Sequence, residues 1–159
     1  MDEKTLASGT RSLRIARAAS SAYALLFVAG SVLSVRRRYV AAPLGIRTGL
    51  SPLADVLVGN GAALAAPWPM LVALGAANRA ARENGPRGRR ARARMVVLGT
   101  LFLAGSAAEP ISHRLVAGTL PAPEAIVAAL DLFLPLAIVT GATASLVVGE
   151  ETDRREELR

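Results

Sequence analysis

Met95–Arg114, MVVLGTLFLAGSAAEPISHR, decides how the rest of the chain is read, because an apolar run of bilayer-crossing length closes on Glu109, Pro110, His113 and Arg114. A hydrocarbon core about 30 Å thick takes roughly 20 helical residues. Titratable groups at the end of such a run anchor it at the interface or form a site. Three further apolar segments surround it. Ala18 to Val35 holds eighteen residues without a charge, followed at once by Arg36, Arg37, Arg38 and Tyr39. Val56 to Asn78 holds twenty-three uncharged residues, and a last segment runs from Pro123-Glu124 to about Val148 with Asp131 and Pro135 inside it.

With 159 residues, 52% of them hydrophobic, the chain is too apolar for a soluble domain of its size and has room for about four spans. The predicted fold class is all-α, an integral membrane four-helix antiparallel bundle with spans at about 18–38, 53–78, 95–115 and 124–148. Residues 1–17 form a basic leader, 18–148 the transmembrane domain and 149–159 a charged tail, where Glu150–Arg154 and Glu151–Arg155 stand at i,i+4. A cleaved signal peptide would need a small-x-small site after the first apolar run, and three arginines stand there instead.

Of the nineteen lysines and arginines, fourteen fall in the leader, the second connection and the tail, and five in the other two connections. The positive-inside rule therefore places both termini in the cytoplasm. Arginine is strongly favoured over lysine and alanine is abundant, a composition that points to a GC-rich bacterial genome and hence to a multi-pass protein of the bacterial inner (plasma) membrane.

The link from Val40 to Leu50 contains Pro43, Gly45 and Gly49 and reads as a loop. Ser51 and Pro52 supply a cap and a first-turn proline for the second helix. Inside that helix lie Gly59-Asn60-Gly61 and Pro67-Trp68-Pro69. Spanning helices tolerate proline where neighbours re-satisfy the freed carbonyls, so the pair predicts a kink and not an end. Residues 79–94 carry seven arginines around an Asn84-Gly85-Pro86 turn signal. They read as a topological signal in contact with anionic lipids of the bilayer; nucleic acid is not expected, since no aromatic side chains are interleaved for base stacking.

Helix rise sets the depth of each polar residue. Counting from the outer face, Asn60 and Asp131 lie roughly 10 Å down and Glu109 roughly 9 Å. Asp55, His113, Arg114 and Glu124 ring the mouth above them, and Arg36, Arg37 and Arg38 bring positive charge from the first helix. An acid at depth opposes insertion by about 2.5 to 3.5 kcal/mol, whereas a leucine or valine returns about 0.3 to 0.6, so the cluster calls for an explanation. One explanation is a set of ion pairs between Glu109 or Asp131 and arginines. The other is an outward-facing polar cavity.

Other chemistries fit poorly. Glu109 and His113 share a face at i,i+4, but a single histidine and no cysteine leave too few nitrogen or sulfur ligands for zinc, and no metal or other cofactor is expected. Adjacent Ser112 and His113 point about 100° apart on a helix, outside any nucleophile-elbow pattern. Gly59-x-Gly61 lacks the third glycine of a dinucleotide fingerprint, and it reads as close helix contact, as do Gly99, Gly105 and Gly141. No catalytic residue is assigned.

The functional expectation is a non-enzymatic membrane protein whose outer-leaflet cavity binds or passes a small polar solute or protons, with Asp55, Asn60, Glu109, His113, Arg114, Asp131, Arg36 and Arg37 forming a ligand-binding or ion-pair cluster. Rival readings are a structural or accessory subunit with acid–arginine pairs, and a membrane-embedded enzyme acting on a lipid or quinone headgroup. A homo-oligomer formed through Gly/Ala faces is compatible with the sequence.

Overall fold

The computed structural model describes residues 3–42, 45–47, 49–59 and 61–157, with side chains from 7 to 149 among them. It is helical throughout: α1 (Glu3–Arg37), α2 (Pro52–Val58), α3 (Trp68–Ala80), α4 (Gly85–Ala108), α5 (Pro110–Val116) and α6 (Ala122–Glu157). Three helices are long and apolar enough to cross a membrane, over Ala7–Arg37, Gly85–Ala108 and Ala122–Gly149. Large apolar side chains face outward along all three, including Leu25, Val97, Leu101, Ile126 and Phe133. That is the surface of a multi-pass membrane protein.

The long helices start earlier than the apolar runs. α1 begins at Glu3, fifteen residues before the predicted span, because nothing in the basic leader breaks a helix. α4 begins at Gly85 with Pro86 in its first turn, and the Arg-Ala run forms its N-terminal half. Alanine and arginine are among the strongest helix formers, so this stretch is helix and not connection. The third span, predicted to run to about residue 115, ends as a helix at Ala108. Glu109 is extended (φ −75°, ψ 138°), as the residue before Pro110 is sterically pushed to be, and a separate short α5 follows.

The second predicted span is not one helix. Gly59 closes α2 in the left-handed conformation (φ 91°), its N–H bonding the carbonyls of Asp55 and Val56. The chain then makes a tight turn in which Ala62 and Ala65 exchange backbone hydrogen bonds of 2.7 and 2.9 Å. Pro67 and Pro69 start α3, in the cap and first-turn positions where a missing N–H costs nothing. Glycine and proline together thus end one helix and begin another, where a kink was expected. α3, with 13 residues, is about 20 Å long and too short to cross a membrane alone.

α6 lies against both α1 and α4, and runs antiparallel to each. A Cβ at Gly9 would meet Val148, one at Gly141 would meet Ser12 and Ala16, and Tyr23 pairs with Asp131. On the other side Gly99 faces Ile138 and Val139. α3 runs back between α1 and α4, with Asn78 Oδ1 accepting a 3.2 Å hydrogen bond from Arg17 Nε. The main core joins Ala16, Tyr23 and Leu26 of α1 to Leu74 of α3, Met95 and Phe102 of α4, and Ile138 of α6. Small residues dominate the α1–α6 contact, as expected where lipid is as apolar as leucine and close van der Waals approach holds helices together.

Candidate functional site

Tyr23 interrupts the uncharged stretch of α1 and is almost fully buried. A buried tyrosine hydroxyl needs a partner. The antiparallel α6 supplies it: Tyr23 Oη donates to Asp131 Oδ1 over 2.9 Å. Ser106 of α4 lies on the same cavity wall as Asp131. The ring of Phe102, one turn earlier on α4, lies 4.9 Å from that of Tyr23 at a tilt of 48°. Three helices therefore meet at one carboxyl group.

Glu109 reaches the same region from the break between α4 and α5. Its Oε2 accepts the Ala42 N–H at 3.1 Å, which ties the α1–α2 connection to the end of α4. The break satisfies itself locally as well, with Ser112 Oγ donating to the Ser106 carbonyl over 2.6 Å.

Glu109 and Asp131 line one cavity of about 540 Å³, whose wall is otherwise mostly apolar and includes Met70, Phe102 and the backbone turn around Ala62–Pro67. Glu109 also borders a smaller cavity of about 290 Å³ that Arg38, Arg47 and Arg114 line. Among the described residues no arginine lies within ion-pair distance of Glu109 or Asp131. A different buried acid, Glu124, does meet an arginine, its Oε1 lying 2.9 Å from Arg37 Nε. That contact is one of charge alone, because neither Glu124 oxygen accepts an aligned hydrogen bond.

The residues singled out in the sequence thus separate. Glu109 and Asp131 share the larger cavity, and Arg114 lines the smaller one beside Glu109. Arg37 belongs to the Glu124 pair, and Arg36 is exposed. Asp55 is fully buried in α2, which packs against α1, and lines neither cavity. His113 is exposed on α5, and the break at Glu109 removes the continuous helix that would have aligned the two. Asn60 lies outside the described residues. No three His, Cys, Asp or Glu side chains among the described residues are grouped to hold a metal ion.

Sequence reasoning passed over Tyr23, Phe102 and the Ala42 N–H. Tyr23 had a usable signal, since it is the one residue with a strong side-chain dipole and large volume inside the first apolar run. Ala42 had none. The chain matches no protein family model, no curated protein and no solved structure.

Proposed function

We propose that the chain is a multi-pass bacterial inner-membrane protein, both termini cytoplasmic, whose outer-half cavity binds a small solute with an apolar body and a basic nitrogen. The observation that carries this reading is the pair Glu109 and Asp131 on the wall of one mainly apolar cavity, neither neutralised by an arginine among the described residues. An uncompensated acid in an apolar wall favours a cationic or hydrogen-bond-donating guest. The aromatic faces of Tyr23 and Phe102 suit the same guest through cation–π attraction. The arginines crowd the smaller cavity, so the path that avoids them runs sideways past exposed Ile46 and Leu101, from the bilayer. The fourteen-to-five division of lysine and arginine supports the orientation.

Trp68 is the sole tryptophan and its Nε1 stands 3.1 Å from where a Cβ would be on cavity-lining Gly59, so its fluorescence reports on the site. Purified protein titrated with 9-aminoacridine, an apolar ring system carrying a basic nitrogen, is expected to show saturable quenching. The Glu109→Gln/Asp131→Asn double variant should bind at least about tenfold more weakly, the loss of roughly 1.4 kcal/mol. Equal affinity in that folded variant would break the reading. The Glu124–Arg37 contact favours a second one, in which buried acids serve only to hold the helices in register. Absence of quenching in the wild type, together with lowered thermal stability of the double variant, would select it.

A further inference from the structure

At the opposite end from the Glu109–Asp131 cavity, α3 and α4 diverge around a groove of about 1120 Å³. Ala73, Ala76 and Ala80 line it from α3, and Arg90, Arg94 and Leu98 from α4. The spacing on each helix is i, i+3/i+4, i+7/i+8, so each set forms one stripe and the two stripes face one another. Arg94 is the last charge before the apolar run that opens at Met95, which puts its guanidinium at the level of phospholipid headgroups. Arg90 and Arg94 are exposed, and no acid among the described residues lies within ion-pair distance of either. Arg87 on the same stripe is instead held by Glu83 at 3.2 Å.

We infer that this groove holds one anionic phospholipid, its phosphate on Arg90 and Arg94 and one acyl chain laid along the alanine floor. Charge complementarity selects the headgroup, because the arginine fork matches phosphate oxygens two at a time. The α3 side chains lining it are alanines, and on α4 the groove reaches Val97 and Leu98, within the apolar run that opens at Met95. Diffuse attraction of a basic loop to anionic lipid would need no groove; this arrangement adds a shaped apolar floor directly below two guanidiniums. The site is independent of the solute cavity.

Native mass spectrometry of the detergent-purified protein tests it, with dioleoylphosphatidylglycerol and dioleoylphosphatidylcholine as probes. One phosphatidylglycerol is expected to stay on each chain in preference to phosphatidylcholine. Arg90→Gln/Arg94→Gln should weaken its retention by about thirtyfold. Ala76→Phe, at an exposed position, should abolish retention with the charge unchanged, whereas Arg11→Gln/Arg14→Gln at the same end should leave it intact. Retention unaffected by Arg90→Gln/Arg94→Gln or by Ala76→Phe overturns the inference. So does an equal loss in Arg11→Gln/Arg14→Gln, competition by glycerol phosphate at the same concentration, or a dimer that Ala76→Phe dissociates, which would make a second copy the occupant.

Discussion

Where α1 begins and α6 ends, helices meet almost backbone to backbone. A Cβ on Gly141 would stand 2.6 Å from the Ser12 carbonyl oxygen, and one on Gly9 would stand 2.9 Å from Val148. The buried Ser20 and Ser145 hydroxyls on these two helices donate to carbonyls of their own helix, Ala16 and Ala142. At the other end the described chain leaves helical geometry between α1 and α2, between α2 and α3, at Glu109 and between α5 and α6, and there most of the buried polar side chains gather. The two facts are linked. A continuous helix satisfies its own backbone, whereas irregular backbone away from water needs a partner for every N–H and C=O. Glu109 takes the Ala42 N–H, and fully buried Ser34 Oγ accepts the Leu64 N–H at 3.2 Å. The polar residues that make a cavity available also repair the breaks that shape it.

The comparison is broken most severely at Gly30. The carbonyl oxygen of Leu64 lies 1.7 Å from where its Cβ would be, so Gly30→Ala must push the 61–66 turn off α1. Overpacking costs about 1–3 kcal/mol when side chains give way, and here the obstacle is backbone, so the loss should reach or exceed the upper end. Gly75→Ala, with nothing within 4 Å of its Cβ, is the matched control and should gain slightly in helix propensity. Thermal unfolding in detergent checks both. Similar midpoints for the two variants would mean that the turn is not seated on α1.

A smaller break is available at the Arg37–Glu124 contact. Arg37→Gln leaves a fully buried carboxylate without its cation, and Glu124→Gln removes the charge together with the need for it. An unsatisfied buried group costs about 1–3 kcal/mol. Because the Arg37 side chain is 54% exposed and solvent shares in screening it, the lower half of that range is expected. Glu124→Gln should be close to neutral, and adding it to Arg37→Gln should restore most of the lost midpoint. If the double variant is as unstable as Arg37→Gln, the pair contributes through packing and not charge.

Helical class and the presence of helices long and apolar enough to cross a membrane were legible in the sequence, because each depends on one-dimensional quantities: hydropathy and run length. The second apolar segment was not. Gly59, Gly61, Pro67 and Pro69 were visible, but whether they kink or end a helix depends on partners for the freed backbone groups, and those partners, Ser34 foremost, sit thirty residues away. The arginine pairing expected of the deep acids likewise turns on side-chain reach across helices. Tyr23 and Ser106, uncharged side chains inside apolar runs, take that place beside Asp131.

The mildest test concerns how α1 gives way to the irregular end. Arg38 is the one described residue other than glycine with positive φ (56°), and it caps the helix as Tyr39 N–H reaches back to the Ser34 carbonyl at 2.9 Å. Left-handed geometry costs a side-chain-bearing residue roughly 1–2 kcal/mol, and glycine avoids that cost at an entropic penalty of about 0.5–1. Arg38→Gly should therefore raise the unfolding midpoint by an amount equivalent to several tenths of a kcal/mol up to about 1. Arg38→Ala keeps the Cβ and should not. The pair separates backbone strain from loss of the charge that Arg38 contributes to the smaller cavity. A rise in both variants would assign the effect to relief of repulsion among Arg38, Arg47 and Arg114, making the arginine-lined cavity, and not the helix cap, the strained feature of that end.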